Sequence, residues 1–240
     1  MSRTKLLLFA IPLILLYVIT VAPVFADDVI IGSPSDAGTG NCYPFGCAYS
    51  GEYQQVYTSG QFTTGPVVIT GLEFFNTQFD NGASGMNSGN WAISLSTASG
   101  DWNTIGTTYA NNIGPDNTLV FNGDLSQPWS FGDTLTIGLT TPFTYDPSQG
   151  NLLMDVNVTG ASDSNGDIFF DINGSYNSDT IMGRNYSDAY CGSVTDGCVD
   201  NGYGLVTDFT TSPVPEPSTL LMLGTGLLGL GPFLRRVRVL

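Results

Sequence analysis

Between residues 27 and 213, apolar and polar residues alternate in short runs of period two, and no helical periodicity is sustained over three turns. This pattern predicts strands at Gln54 to Thr58, Val67 to Phe75, Trp91 to Ser96, Thr118 to Phe121, Thr134 to Leu139, Asn151 to Val158, Asp167 to Ile172 and Gly204 to Phe209. The alternation is cleanest where Trp91, Ile93 and Leu95 oppose Ala92, Ser94 and Ser96, and where Leu135, Ile137 and Leu139 oppose Thr134, Thr136 and Gly138. Each such strand buries one face and wets the other. Glu73, inside Leu72-Glu73-Phe74-Phe75, falls on the wet face by the same rule. The gaps hold Asn81-Gly82, Asn122-Gly123, Asn165-Gly166, Asn173-Gly174 and Asn201-Gly202, dipeptides that supply positive φ at turns. About eight short strands with long polar loops predict an all-β, antiparallel β-sandwich, most readily a jelly roll.

Two apolar runs break this pattern, one at each end. Residues 1–26 have a basic start at Arg3 and Lys5, an apolar run from Leu6 to about Ile19, and a small-residue exit at Val24-Phe25-Ala26. They read as a secretory signal peptide, so the body is expected to cross a membrane through the Sec translocon. At the other end, Val214-Pro215-Glu216-Pro217-Ser218-Thr219 precedes an apolar stretch from Leu220 to Leu234, then Arg235, Arg236 and Arg238. The prolines favour an extended, accessible peptide. The 15 apolar residues reach about 22 Å as a helix against a hydrocarbon thickness of about 30 Å. Extending the segment to residues 218–234 and letting the arginines snorkel makes a membrane helix with a cytoplasmic basic stop.

This three-part order closely resembles the PEP-CTERM sorting signal, over residues 214–240. The resemblance implies recognition by an exosortase, a membrane-embedded transpeptidase-like enzyme of bacteria that secrete exopolysaccharide. It further implies cleavage near Pro215-Glu216-Pro217, then release or attachment at the cell surface. The segment Phe143 to Val156 also resembles the sandwich body of some proteins that carry this signal. It brings no catalytic residues with it. The chain is thus read as a signal peptide (1–26), an extracellular β-sandwich (27–213) and a sorting signal (214–240).

Charge sharpens the picture of the body. The whole chain carries -15, but residues 27–213 hold 20 acidic residues and one basic residue, Arg184, for a net charge of -19. A nucleic-acid partner is excluded, because phosphates are held by clustered Lys and Arg. The chain has no histidine, so a Ser-His-Asp triad, a His-based zinc site and a near-neutral proton shuttle are absent. Glycoside hydrolysis needs a carboxylate pair, and Glu52, Glu73 and the aspartates supply candidates without singling out two. The body is expected not to be an enzyme.

Four cysteines suit an exported protein. The favoured pairing is local, Cys42 with Cys47 and Cys191 with Cys198; the alternative links the two regions across the sandwich. Asp163, Asn165, Asp167 and Asp171 are candidate calcium ligands in an oxygen-rich loop, although the spacing is not that of an EF-hand and such residues also make Asx-turns. Trp102 and Trp129 sit in loops and are candidates to stack on sugar rings, with Tyr57, Tyr109, Tyr176, Tyr186 and Tyr190 as further loop or edge aromatics. The sequons at Asn157, Asn173 and Asn185 read as incidental to an Asn-, Ser- and Thr-rich chain. Together these features predict an exported surface or matrix protein associated with exopolysaccharide. The alternative is a secreted carbohydrate-binding module, calcium-dependent or not, and a polysaccharide hydrolase ranks third.

Overall fold

The computed structural model describes residues 28–63, 65–162, 165–173, 180–187 and 193–214. The expected signal peptide and all of the C-terminal tail after Val214, including the sorting-motif residues Pro215, Glu216, Pro217, Ser218 and Thr219, lie outside them. Among the described residues the ten strands are β1 (Val29–Ile31), β2 (Gly51–Tyr57), β3 (Val67–Phe75), β4 (Asn90–Thr97), β5 (Thr118–Gly123), β6 (Thr134–Tyr145), β7 (Leu152–Thr159), β8 (Met182–Tyr186), β9 (Cys198–Asn201) and β10 (Thr207–Pro213). The helical content described is one 3-10 turn, Ser59–Gln61, and one α-helical turn, α1 (Tyr109–Asn112).

The strands form two antiparallel sheets. One has the order β1-β10-β3-β6, the other β5-β4-β7-β2-β8-β9. Their facing sides share a core, giving a sandwich-like arrangement. Alternation decides who enters it: Trp91, Ile93 and Leu95 of β4 are buried, and so are Leu135 and Ile137 of β6. Rings lock the sheets together, with Tyr57 of β2 edge-on to Phe209 of β10 at 5.0 Å between centroids. The Tyr57 hydroxyl and Thr207 Oγ1, 2.8 Å apart, satisfy each other inside the core. Tyr57 is therefore a core residue, and not the edge aromatic expected from its position.

In β3 the buried set changes parity, from Val67 and Ile69 to Leu72 and Phe74. A bulge between Ile69 and Gly71 causes the switch, and the partner β6 skips from Phe143 to Gly138 across it. The bulge lets β6 run on to Tyr145, past the end predicted at Leu139. Pro142 is tolerated there because β6 is the edge of its sheet, where a missing N–H leaves no ladder bond unmade. The strand expected at Asp167 to Ile172 is instead a ribbon held by single bridges, Asn41 to Phe170 and Ile172 to Leu205.

The long β4–β5 connection, residues 98–117, crosses the outer face of the six-stranded sheet as a strap. Ile105 packs there on Val56 and Leu153. The buried amide of Asn185 donates to the carbonyls of Gly106 at 3.0 Å and Thr107 at 2.8 Å. Gly197 donates its N–H to Thr107 O, and Tyr109 donates its N–H to Thr195 O.

Candidate functional site

Four groups of residues have chemistry to offer: the body-to-tail junction, a carboxyl pair under the strap, the lone internal cation, and a cavity at one end of the sheets.

The junction comes first. β10 lies between β1 and β3 in the four-stranded sheet and ends at Pro213. Val214, the first residue of the tail signal, follows it directly and is half-buried. The signal therefore leaves from a strand held by β1 over Thr207 to Phe209 and by β3 along its length to Pro213, so a pull on the tail is borne by the sheet.

Glu52 and Asp155 meet on the outer face of the six-stranded sheet. Antiparallel register places Gln54 opposite Asp155 and Glu52 two pairs further along, on the same face. The Gln54 amide donates to Asp155 Oδ1 at 3.1 Å, to Glu52 Oε1 at 3.4 Å and to the strap carbonyl of Tyr109 at 3.1 Å. Burial and the neighbouring Asp155 carboxylate push Glu52 up to about 8, and burial raises Asp155 as well. Burial and the repulsion between two carboxylates both favour keeping a proton on the pair. Glu73 of β3 is bonded by the Thr136 hydroxyl at 3.2 Å and stays on the outer, wet face as alternation requires.

Arg184, the lone base of the body, is buried, with 6 % of its surface exposed. It donates twice to Asp200 Oδ2, from Nε at 2.9 Å and Nη2 at 2.7 Å. Its guanidinium lies 4.2 Å from the ring centroids of both Tyr186 and Tyr203. The ion pair clips β8 to β9, which pair at this register.

The cavity, about 820 Å³, opens at the end of the sandwich where four connections meet. Its wall is the loop from Pro34 to Gly40, together with Phe79, Phe169, Ile172 and Tyr203. The partly exposed Phe79 and Phe169 rings meet edge to face at 4.8 Å. Asn76, which is buried, sets both: its amide donates to Phe79 O at 2.8 Å and Phe169 O at 2.7 Å. Asp171, wholly buried, accepts from Thr77 N, Thr77 Oγ1 and Gln78 N at 2.8, 2.6 and 3.1 Å.

These placements change the expected site. Trp129 is 5 % exposed, donates Nε1–H to Asn76 Oδ1 at 3.3 Å and packs edge-on to Phe170, so it is a core ring with no face for a sugar. Tyr109 is a buried residue of the strap itself, and Tyr186 stacks on Arg184; Tyr176 and Tyr190 lie outside the described residues. Trp102 is half-buried in the strap, and its backbone passes tightly over Gly183. Of the calcium candidates, Asp163 lies outside the described residues, Asn165 donates its amide to Met86 O at 3.1 Å, and Asp171 has both carboxylate oxygens engaged as above. Asp167 stands beside a small hollow with Phe79 and Trp129. Among the described residues no three acidic or cysteine side chains converge on a metal position. Cys42 is joined to Cys47 with 5.1 Å between Cα atoms, so the cross-sandwich alternative is excluded. Cys198 is also disulfide-bonded, and Cys191 lies outside the described residues. Of the three sequon asparagines, Asn173 and Asn185 are buried and Asn157 is exposed on β7.

The tail is what a comparison with known proteins identifies. Residues 213–239 match the PEP-CTERM protein-sorting motif. No curated protein matches the chain. A PEP-CTERM motif implies an exported protein, anchored and then processed by an exosortase, a membrane enzyme. The match covers the tail singled out by the Pro-Glu-Pro, apolar and arginine order, and its first residue is the last residue of β10. Among the described residues no helix is long and apolar enough to cross a membrane; Leu220 to Leu234 lies outside them.

Proposed function

We propose that the protein is a non-enzymatic component of the cell surface or extracellular matrix, delivered by its PEP-CTERM tail and associated with exopolysaccharide. The observation that carries this reading is the attachment of the tail to β10, an internal strand of its sheet. Cleavage after Pro213 removes no strand residue, so the mature body keeps its sheets. The body is read as a jelly roll. Leaving aside the β8–β9 hairpin, the strand orders β1-β10-β3-β6 and β5-β4-β7-β2 support this, since every consecutive pair of strands except β4–β5 passes between the sheets, as two Greek keys require.

The carboxyl pair supports a structural role over catalysis. A glycosidase pair flanks an open space that admits the substrate. Glu52 and Asp155 are instead bridged by one amide and roofed by the strap, and they do not line the end cavity. The test is fractionation of cells that have or lack an exosortase. The protein is expected at the surface in the first and in the membrane fraction in the second. Equal distribution in both would overturn the sorting reading.

A further inference from the structure

Taking the exported, exopolysaccharide-associated reading as its base, we propose that the cavity at the end of the sandwich is a binding site for an uncharged saccharide, with Phe79, Phe169 and Tyr203 as its apolar wall and the Ser35-to-Thr39 loop as its polar rim.

Its size suits a small ligand, since binding pockets run from about 300 to 1,000 Å³ and this one is about 820 Å³. Its wall is amphipathic in the way a pyranose is. Sugar rings present C–H faces that pack on aromatic carbon and edges of hydroxyls that need donors and acceptors. Phe79 and Phe169 are partly exposed despite their size, a cost that a ligand would recover by covering them. The rim supplies the Ser35 and Thr39 hydroxyls, 2.5 Å from one another, and the Asp36 carboxylate.

The site is built in advance. Asn76 orients both phenylalanine backbones from below, and its own carbonyl oxygen is taken by Trp129. Asp171 fixes the Thr77–Gln78 turn that leads into Phe79. The rim loop is tied to that same turn by Gly38 N–H to Gln78 O at 2.7 Å, and to the opposite wall by Ser35 N–H to Ile172 O at 3.0 Å. Gly40 lets the loop lie against Phe169, because a Cβ there would stand 2.8 Å from the Phe169 Cβ. Tyr203 is held from behind by Arg184. Pre-positioned walls of this kind lower the ordering cost of binding.

Charge selects among saccharides. Among the described lining residues there is no Lys or Arg, Asp36 stands on the rim, and the body carries -19. Polyuronates and sulfated polymers are therefore repelled, whereas neutral glucans or mannans are not. A cation is a poor occupant, since Asp36 is the only acidic side chain among the described lining residues.

Isothermal titration calorimetry of the full-length chain, in a detergent without a sugar headgroup, tests this. The probes are oligosaccharides of cellulose, laminarin, starch and mannan, with oligogalacturonate as the charged counterpart and calcium chloride alone as a third arm. At least one neutral probe is expected to bind, and oligogalacturonate and calcium are not. Phe169→Ala, which removes a wall, and Thr39→Trp, which fills the mouth from an exposed position, should each weaken binding about tenfold or more with the near-ultraviolet circular dichroism unchanged. Absence of binding by every neutral probe, tighter binding of oligogalacturonate, or full affinity in the Thr39→Trp protein would overturn the proposal. Tail processing is read separately, so failed binding with intact processing sinks the cavity assignment alone.

Discussion

The carboxyl pair under the strap makes the stability of the protein fall with rising pH, and Glu52→Gln isolates the effect. Glu52 moves from 4.5 to about 8 on folding, through burial and the Asp155 carboxylate. Its folded value lies above the unfolded one, so the native state keeps a proton that the unfolded chain has lost. The stabilisation is full below about pH 4.5 and is lost as pH rises through about 8. A tenfold change in proton affinity is worth about 1.4 kcal/mol, which puts the ceiling near 5 kcal/mol. Glu52 is only half-buried, and water screens most of this, leaving about 1–2 kcal/mol between pH 5 and pH 9. Asp208, raised to about 6 by burial and by Asp28 and Glu73, has the same sign, but its contribution ends by about pH 7. The chain has no histidine, so the interval from about pH 7 to 9 belongs mainly to the Glu52 pair. Urea unfolding of wild type and Glu52→Gln across this interval is the assay. Wild type should lose stability while the variant stays level, with equal urea slopes. Parallel curves, or a wild type that gains stability toward pH 9, would refute the shared-proton account.

Other perturbations bear on other parts of the fold. Arg184→Met removes the cation from buried Asp200 and should cost about 3–5 kcal/mol in urea unfolding, with much of it regained in the double variant carrying Asp200→Leu. Replacing both Cys42 and Cys47 by serine opens a loop with a sequence separation of 5 and should lower stability by about 2 kcal/mol, read without reductant as a lower thermal midpoint than wild type, a gap that reductant closes because it opens the Cys198 bond in both proteins and the Cys42–Cys47 bond in wild type alone. Asn76→Ala strips three hydrogen bonds from beneath the cavity and should cost about 2–4 kcal/mol while weakening neutral-glycan binding more than Phe131→Ala, a change at an exposed ring.

The legible part of the fold was the part that local alternation controls. Val67 to Phe75 and Trp91 to Ser96 bury one face each, so their sequences show it, and the structure places strands there. β1 escaped notice because Val29–Ile31 is too short to show a period. β8 escaped because Met-Gly-Arg-Asn-Tyr buries polar residues on both faces: Arg184 inward against Asp200, and Asn185 outward under the strap. Period-two reading assumes that a buried residue is apolar, and here ion pairing and amide bonds satisfy the burial instead. The strand from Thr134 was expected to stop at Leu139, because the edge position that lets β6 continue through Pro142 is a tertiary fact. Trp129 read as a loop aromatic because the loop folds back onto Phe170. The cavity had no local signal at all. Its wall comes from four connections that are distant in sequence and are joined by Asn76, Asp171 and the single bridges near Phe170. The sorting motif at residues 213–239 was legible because its information is linear.

The central claim is that the PEP-CTERM tail is removed from an intact body by an exosortase. Intact-mass measurement of the protein recovered from isogenic cells with and without the exosortase tests it most directly. The account predicts a C-terminus close to Pro215–Pro217 in the first and a chain ending at Leu240 in the second, with the same N-terminus in both. A full-length C-terminus in both, or the same truncation in both, would contradict it.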